Sequence, residues 1–294
     1  NYTILKSSAI DKLNGAPVFN AKGQVIGLFN SAGESQSSTD ANYAKDFVVK
    51  GLSQNDITLR QSNIRIGLPN TVEEAVVALM LSSEKPTNIH EAIVNEFITK
   101  FPQANDGYYA LANIQVAKGD FADADKTMQT AISKVTAKDE AHYNFARLIY
   151  RNALIQEFAE KTKSVGWTLD KALDEIKKAE TTKANDAYRH LQAQIIYAKG
   201  DYAKAYTEFE ALTKTKFNNP ELYLEMAQSR QHLGANDQEI LDLLNKSIEL
   251  CDTPYVSTSA PYFYTRGQQL EKMGEYRKAV QDYYTYEYFN QGRL

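Results

Sequence analysis

The sequence predicts a mainly α protein, an α-solenoid of stacked helical hairpins preceded by a small N-terminal antiparallel β segment. Three observations carry that prediction. A turn of glycine, an acidic residue and an aromatic recurs at Gly119-Asp120-Phe121, Gly200-Asp201-Tyr202 and Gly274-Glu275-Tyr276, with a weaker copy at Leu233-Gly234. The step from Gly200 to Gly234 is 34 residues, a period at which a two-helix unit repeats. Small and apolar residues also fall at helical spacing beside each turn, as Ala124, Met128 and Ala131 do after Gly119.

The copy from Asn105 to Val135 is the clearest. Leu111 and Ala112 share a face of its first helix, Gly119 ends that helix at positive φ, and Asp120 caps the second. Ala112, Ala124 and Ala131 let the two helices approach closely. This pattern resembles the tetratricopeptide repeat. The resemblance implies a curved stack whose first helices line a concave side. It covers residues 71–294, expected to form one helical repeat domain, with residues 1–66 as the β segment.

Composition sets the outer bounds. The 294 residues are 43% hydrophobic and 24% charged, the balance of a globular protein. A net charge of −4 gives no electrostatic reason to expect nucleic acid, and no apolar run approaches the roughly 20 residues of a membrane span. A single cysteine, Cys251, excludes an internal disulfide and a multi-thiolate metal site; at a helix end it is expected to be packed or half-buried. Starting at Asn1, the chain is expected to be a processed or excised piece.

In the first 66 residues, Val18-Phe19 and Val25 to Phe29 read as strands joined at Asn20-Ala21-Lys22-Gly23. Residues Ser31 to Asp40, rich in serine and polar side chains, read as an exposed loop, and Tyr43 to Leu52 and Ile57 to Ile66 as further extended runs. Gly15-Ala16-Pro17-Val18-Phe19, continuing to Val25-Ile26-Gly27, is similar to the strand that follows the nucleophile in trypsin-like serine peptidases. Asn42 to Leu52 is similar to the next strand and the start of the terminal helix. The resemblance implies a degenerate C-terminal remnant of such a domain, because the nucleophilic serine falls on Asn14. An amide has no hydroxyl for a base to deprotonate. The four histidines, His90, His142, His190 and His232, all lie in the helical part. The role expected for the segment is a structural cap.

From Thr71 the pattern turns helical. Thr71 to Glu74 has capping-box spacing, and Asn88 to Glu91 repeats it at a second helix that Pro102 terminates. Ala75, Ala78, Leu79, Ile93 and Phe97 supply the inner faces. After the Asn105 repeat, one overlong helix is expected from Asp139 to about Lys161, with an insertion before its partner near Thr168; Trp167 is expected to staple that partner to the insert. Further hairpins run from Asn185 to Thr215, from Asn219-Pro220 onward, and from about Ser259 to Phe289. The last helix carries Tyr283, Tyr284, Tyr286, Tyr288 and Phe289. So aromatic an end predicts either further helices or self-association.

No phosphate loop, zinc-protease motif, paired cysteines or dinucleotide fingerprint occurs, so no cofactor, metal or catalytic residue is expected. In the tetratricopeptide family four positions of each first helix project into the groove. Mapped here they give Tyr109, Asn113, Tyr143, Arg147, Tyr150, Arg151, His190, Gln194, Tyr197, Gln228, Gln231, Tyr264 and Gln268. Tyrosines offer stacking area and a hydroxyl at small entropy cost, as peptide-binding surfaces do. Asn113 matches one element of the carboxylate-clamp repeat, but Tyr109 replaces its lysine. The function expected is a non-enzymatic scaffold binding a peptide or protein partner in the groove. The alternative is the later part of an exported trypsin-like peptidase whose repeats recruit substrates, in line with bacterial proteins that join the two modules.

Overall fold

A computed structural model describes residues 2–5, 13–32, 35–42 and 67–290, and the chain divides into two compact units, 1–67 and 68–294. The first holds an antiparallel sheet of β1 (Tyr2–Ile4), β2 (Pro17–Phe19), β3 (Val25–Ala32) and β4 (Ser35–Asp40), in the order β1-β4-β3-β2. The predicted β2–β3 connection closes on Asn20, whose side-chain oxygen accepts from the backbone N–H of Lys22 (2.9 Å) and Gln24 (3.1 Å). The loop expected over Ser31 to Asp40 is instead the end of β3 and all of β4, pairing Phe29 with Ser38 and Ser31 with Gln36. Its serines and threonine form a strand because β4 sits between two partners, which satisfy its backbone on both edges. Asn14 serves this sheet: its amide donates to the Ser31 carbonyl at 3.3 Å and accepts from the Ser31 N–H at 2.5 Å. The runs from Tyr43 to Leu52 and from Ile57 to Ile66 lie outside the described residues.

Among the described residues the second unit is six helical hairpins. They pair α1 (Val72–Ser82) with α2 (Thr87–Lys100), α3 (Asn105–Lys118) with α4 (Phe121–Lys134), and α5 (Lys138–Ala153) with α7 (Leu169–Thr182). A short α6 (Ala159–Ser164) intervenes in the third pair. Then α8 (Asp186–Ala198) pairs with α9 (Tyr202–Leu212), α10 (Pro220–His232) with α11 (Asp237–Glu249), and α12 (Ala260–Lys272) with α13 (Tyr276–Asn290). At the first recurrent turn Gly119 takes φ 87°, so the Asp120 N–H reaches back to the Gln115 carbonyl at 2.8 Å. The same six-residue closure recurs from Asp201 to Ile196, Ala235 to Arg230 and Glu275 to Leu270.

Each hairpin buries its small-residue faces against the next. One core cluster joins Ala112, Ala124 and Met128 of the second pair to Phe145, Ile149 and Ile176 of the third, and continues to Tyr188 and Leu191 of the fourth. Four local expectations change. Asp120 holds the N-cap position of α4, but its side chain makes no cap hydrogen bond. The α2 helix starts at Thr87 with Pro86 as its cap residue and no side-chain cap; the Pro86 carbonyl instead accepts from Ile89 and His90. The overlong helix ends at Ala153, and the chain folds back so that Phe158 lies edge-on to Phe121, ring centres 5.3 Å apart. Trp167 bonds to the insert through its backbone N–H, which donates to the Thr162 carbonyl at 2.8 Å, but its ring reaches past the insert, edge-on to Phe121 of the preceding hairpin at 5.5 Å and to Phe145 of its own at 6.1 Å. These contacts bury Trp167 and half-bury Phe158, removing apolar ring surface from water. Cys251 is half-buried, its thiol against the Ser247 carbonyl.

Candidate functional site

The first helices of the third, fourth and fifth pairs enclose a cleft of about 450 Å³. From α5 come Tyr143, Arg147, Tyr150 and Arg151, spaced so that they share one helix face; His190 and Gln194 come from α8, and Glu221 from α10. Phe217, in the loop between α9 and α10, completes the wall. Tyr143 is fixed by stacking on Tyr188, centroids 4.9 Å apart. His190 Nε2 meets Glu225 Oε2 at 2.6 Å, and the Gln194 amide donates to Glu225 Oε1 at 2.7 Å.

Charge in this cleft is of both signs. Arg147 lies over the Tyr109 ring at 5.4 Å. Among the described residues neither Arg147 nor Arg151 pairs with a carboxylate, whereas Arg189, Arg230 and Arg266 each do. On the opposite wall Glu221 and Glu225 are one helical turn apart. Burial first, and the Glu225 charge second, push the Glu221 carboxyl above its ordinary range. Burial alone would discharge His190, yet its bond to Glu225 and the charges of both glutamates hold its pKa above the usual value. Burial, then Glu221, Cys251 and Glu225, push the Tyr262 hydroxyl up to about 12.

No family model matches the chain, and no curated protein matches its sequence. Solved structures do match the fold. PilF from Pseudomonas aeruginosa superposes with a TM-score of 0.52 at 12% identity, covering 75% of this chain and 97% of that one. A tetratricopeptide repeat protein from Parabacteroides merdae gives 0.54 at 13% identity, covering 79% and 82%. The human IFIT1 dimer with PPP-AAAA gives 0.55 at 17% identity, covering 74% of this chain and 50% of that one. The helical unit has the tetratricopeptide-repeat fold.

Within this tetratricopeptide array eleven of the thirteen residues expected in the groove line one of three hollows, and Tyr197 and Tyr264 line none of them. Tyr143, Arg147, Tyr150, Arg151, His190 and Gln194 come together in the cleft just described. Tyr109 and Asn113 line a larger, more apolar hollow of about 690 Å³ with Val76, Leu79 and Met80, joined to the first by Arg147. The Asn113 amide is spent within its own helix, donating to the Tyr109 carbonyl at 2.7 Å. Gln228, Gln231 and Gln268 line a small hollow of about 170 Å³. Tyr197 packs edge-on to Tyr202 and His232. Tyr264 lies in the last hairpin against Tyr286, ring centres 4.8 Å apart. Glu221, Glu225 and Tyr262 were not among the expected groove residues. Glu221 and Glu225 sit at i and i+4 beside Gln228, a spacing that was available in the sequence; their meeting with His190 was not.

A second histidine–carboxylate contact lies one pair earlier, where His142 Nδ1 meets Glu175 Oε2 at 2.6 Å and Lys178 Nζ donates to Oε1 at 2.6 Å. Burial opposes the Glu175 charge, but the bonds from His142 and Lys178 outweigh it and hold its pKa below the ordinary value of 4.5. A lowered folded-state value means that the carboxylate stabilises the fold above pH 4.5, and that this contribution is lost as pH falls through the folded value. Glu175→Gln is therefore expected to destabilise the protein by about 1–3 kcal/mol near neutrality. The difference from the parent should vanish in acid. Urea unfolding followed by circular dichroism at several pH values measures this, and a deficit independent of pH would refute the charge assignment.

Proposed function

We propose that this chain is a non-enzymatic interaction scaffold whose α5–α8–α10 cleft takes a peptide or protein segment carrying carboxylate side chains. The observation that carries the reading is the pair Arg147 and Arg151, one turn apart among tyrosine rings and without a carboxylate partner among the described residues. Such guanidiniums are suited to receive an external carboxylate in bidentate fashion. A protein ligand fits better than nucleic acid because Glu221 shares the wall, and a surface that tracks phosphates is continuously basic. Among the described residues no helix is long and apolar enough to cross a membrane.

The N-terminal sheet fits the reading as the remnant of a trypsin-like domain with a structural duty. At the position of the nucleophile, both polar atoms of the Asn14 amide are engaged by the Ser31 backbone. The alternative, recruitment of substrates to a working peptidase, requires labelling of the protein by a serine-directed fluorophosphonate. Binding is tested by probing a random peptide array with the labelled chain. Acidic sequences should be enriched, and the enrichment should be lost on charge reversal at Arg147 and Arg151; retention of neutral peptides alone would end the proposal.

A specific feature also favours self-association. Tyr276, Val280, Tyr284 and Tyr288 recur every four residues along α13, exposed at 66%, 50%, 68% and 73%, which is one continuous apolar stripe. Light scattering is expected to show mass rising with concentration, and Val280→Lys with Tyr284→Lys should hold the chain monomeric. Constant monomer mass in the parent protein would remove this reading.

A further inference from the structure

The two histidine–carboxylate contacts differ in how their charge is closed. At His142 and Glu175, Lys178 supplies a cation 2.6 Å from the carboxylate. At His190 and Glu225 the corresponding donor is the neutral Gln194 amide, and Glu221 adds a second carboxylate from the preceding turn of α10. Among the described residues no lysine or arginine pairs with Glu221 or Glu225, and the Glu221 carboxylate accepts no hydrogen bond. His190 Nε2 or Nδ1 and one oxygen from each glutamate lie within 4.8 Å of one another. Two carboxylates at such range repel unless a cation stands between them.

The donor set says which cation fits. His190 is 8% exposed, its ring wedged against Phe209 at 5.9 Å and Phe217 at 5.3 Å, so its nitrogen is offered in one orientation. Gln194 likewise fixes Glu225. A neutral imidazole with two carboxylates suits borderline transition metals, whereas calcium and magnesium prefer oxygen alone. An ammonium group would draw nothing from the imidazole lone pair beyond a single hydrogen bond. Bonds of about 2.0–2.2 Å to a tetrahedral zinc set the donors roughly 3.4 Å apart, so His190 and Glu225, now 2.6 Å apart, have to separate slightly, and Glu221, on the exposed rim of the cleft, has to turn inward.

We propose that His190, Glu221 and Glu225 bind one divalent transition-metal ion, zinc in the first instance, on the floor of the cleft. With three protein ligands a tetrahedral zinc keeps its fourth position for water. The proposal stands apart from peptide binding and is tested without any peptide. Chelator-treated full chain is titrated with zinc by calorimetry and with cobalt(II) by visible absorption, with circular dichroism confirming that each variant is folded. One ion per chain is expected, with affinity falling roughly a hundredfold or more in Glu221→Gln and His190→Gln and unchanged in His142→Gln. Absence of uptake at micromolar zinc, or uptake unaltered by Glu221→Gln, overturns the proposal. Uptake abolished by Cys251→Ser overturns it as well.

Discussion

Trp167→Ala is expected to cost about 3–5 kcal/mol of unfolding free energy, the range for removing a large aromatic from a packed core. Trp167 is only 2% exposed and precedes α7, yet its ring contacts lie in the two preceding helices of the stack, Phe121 on α4 and Phe145 on α5. Its indole N–H donates to Asp125 Oδ1 at 2.7 Å, an oxygen that Lys171 also holds at 2.7 Å. The substitution therefore opens a cavity at the junction of the second and third hairpins and removes one of the two donors to Asp125 Oδ1, leaving Lys171 there and Gln129 on Oδ2. Trp167→Phe keeps most of the ring and loses the hydrogen bond, so a smaller cost of about 1–2 kcal/mol is expected. Urea unfolding followed by circular dichroism separates the two, and hydrogen exchange should place the loss at that junction, because each repeat leans only on its neighbours. A cost below about 1 kcal/mol for the alanine variant would mean that the insert, and not this ring, joins the hairpins.

Reversing the cleft charge with Arg147→Glu and Arg151→Glu is expected to weaken binding of array-selected acidic peptides by roughly a hundredfold or more, since two charge-assisted contacts of about 1.4 kcal/mol each multiply to that factor. Among the described residues neither arginine pairs with a carboxylate, so stability should barely change. Arg147 does lie over Tyr109, and loss of that contact is worth about 0.5–1 kcal/mol at an exposed site. Binding should also fall with added salt in the parent and much less so in the variant. Fluorescence anisotropy with one selected peptide reads both effects. Equal affinity for parent and variant would move the ligand away from α5, to the apolar hollow beside Val76 and Met80 or off the first helices altogether.

Much of the fold was legible because its signals are local. A glycine that must take positive φ announces its turn within six residues, and Gly119, Gly200, Gly234 and Gly274 all sit at φ between 72° and 88°. The inner faces built on Ala75, Ala124, Ala172 and Ala205 follow from helical spacing and are fully buried. Strand β4 was not legible, since Ser35-Gln36-Ser37-Ser38-Thr39-Asp40 has the composition of a loop and becomes a strand through partners on both sides. The end of α5 at Ala153 was hidden for a related reason: no breaker marks it, and the distant Phe121 ring rewards the chain for folding back.

Of the candidate site, the sequence by itself determined the helical faces, and its resemblance to the tetratricopeptide repeat pointed to Arg147, Tyr150, His190 and Gln194, which line one cleft. Only the tertiary structure decided the electrical character of that cleft: which arginines lack a carboxylate partner among the described residues, and that Glu221 and Glu225 converge on His190. Helical periodicity is set by backbone geometry and repeats every few residues. The pairing of charges depends on side chains some 35 residues apart, whose distance is fixed only when one hairpin is stacked on the next.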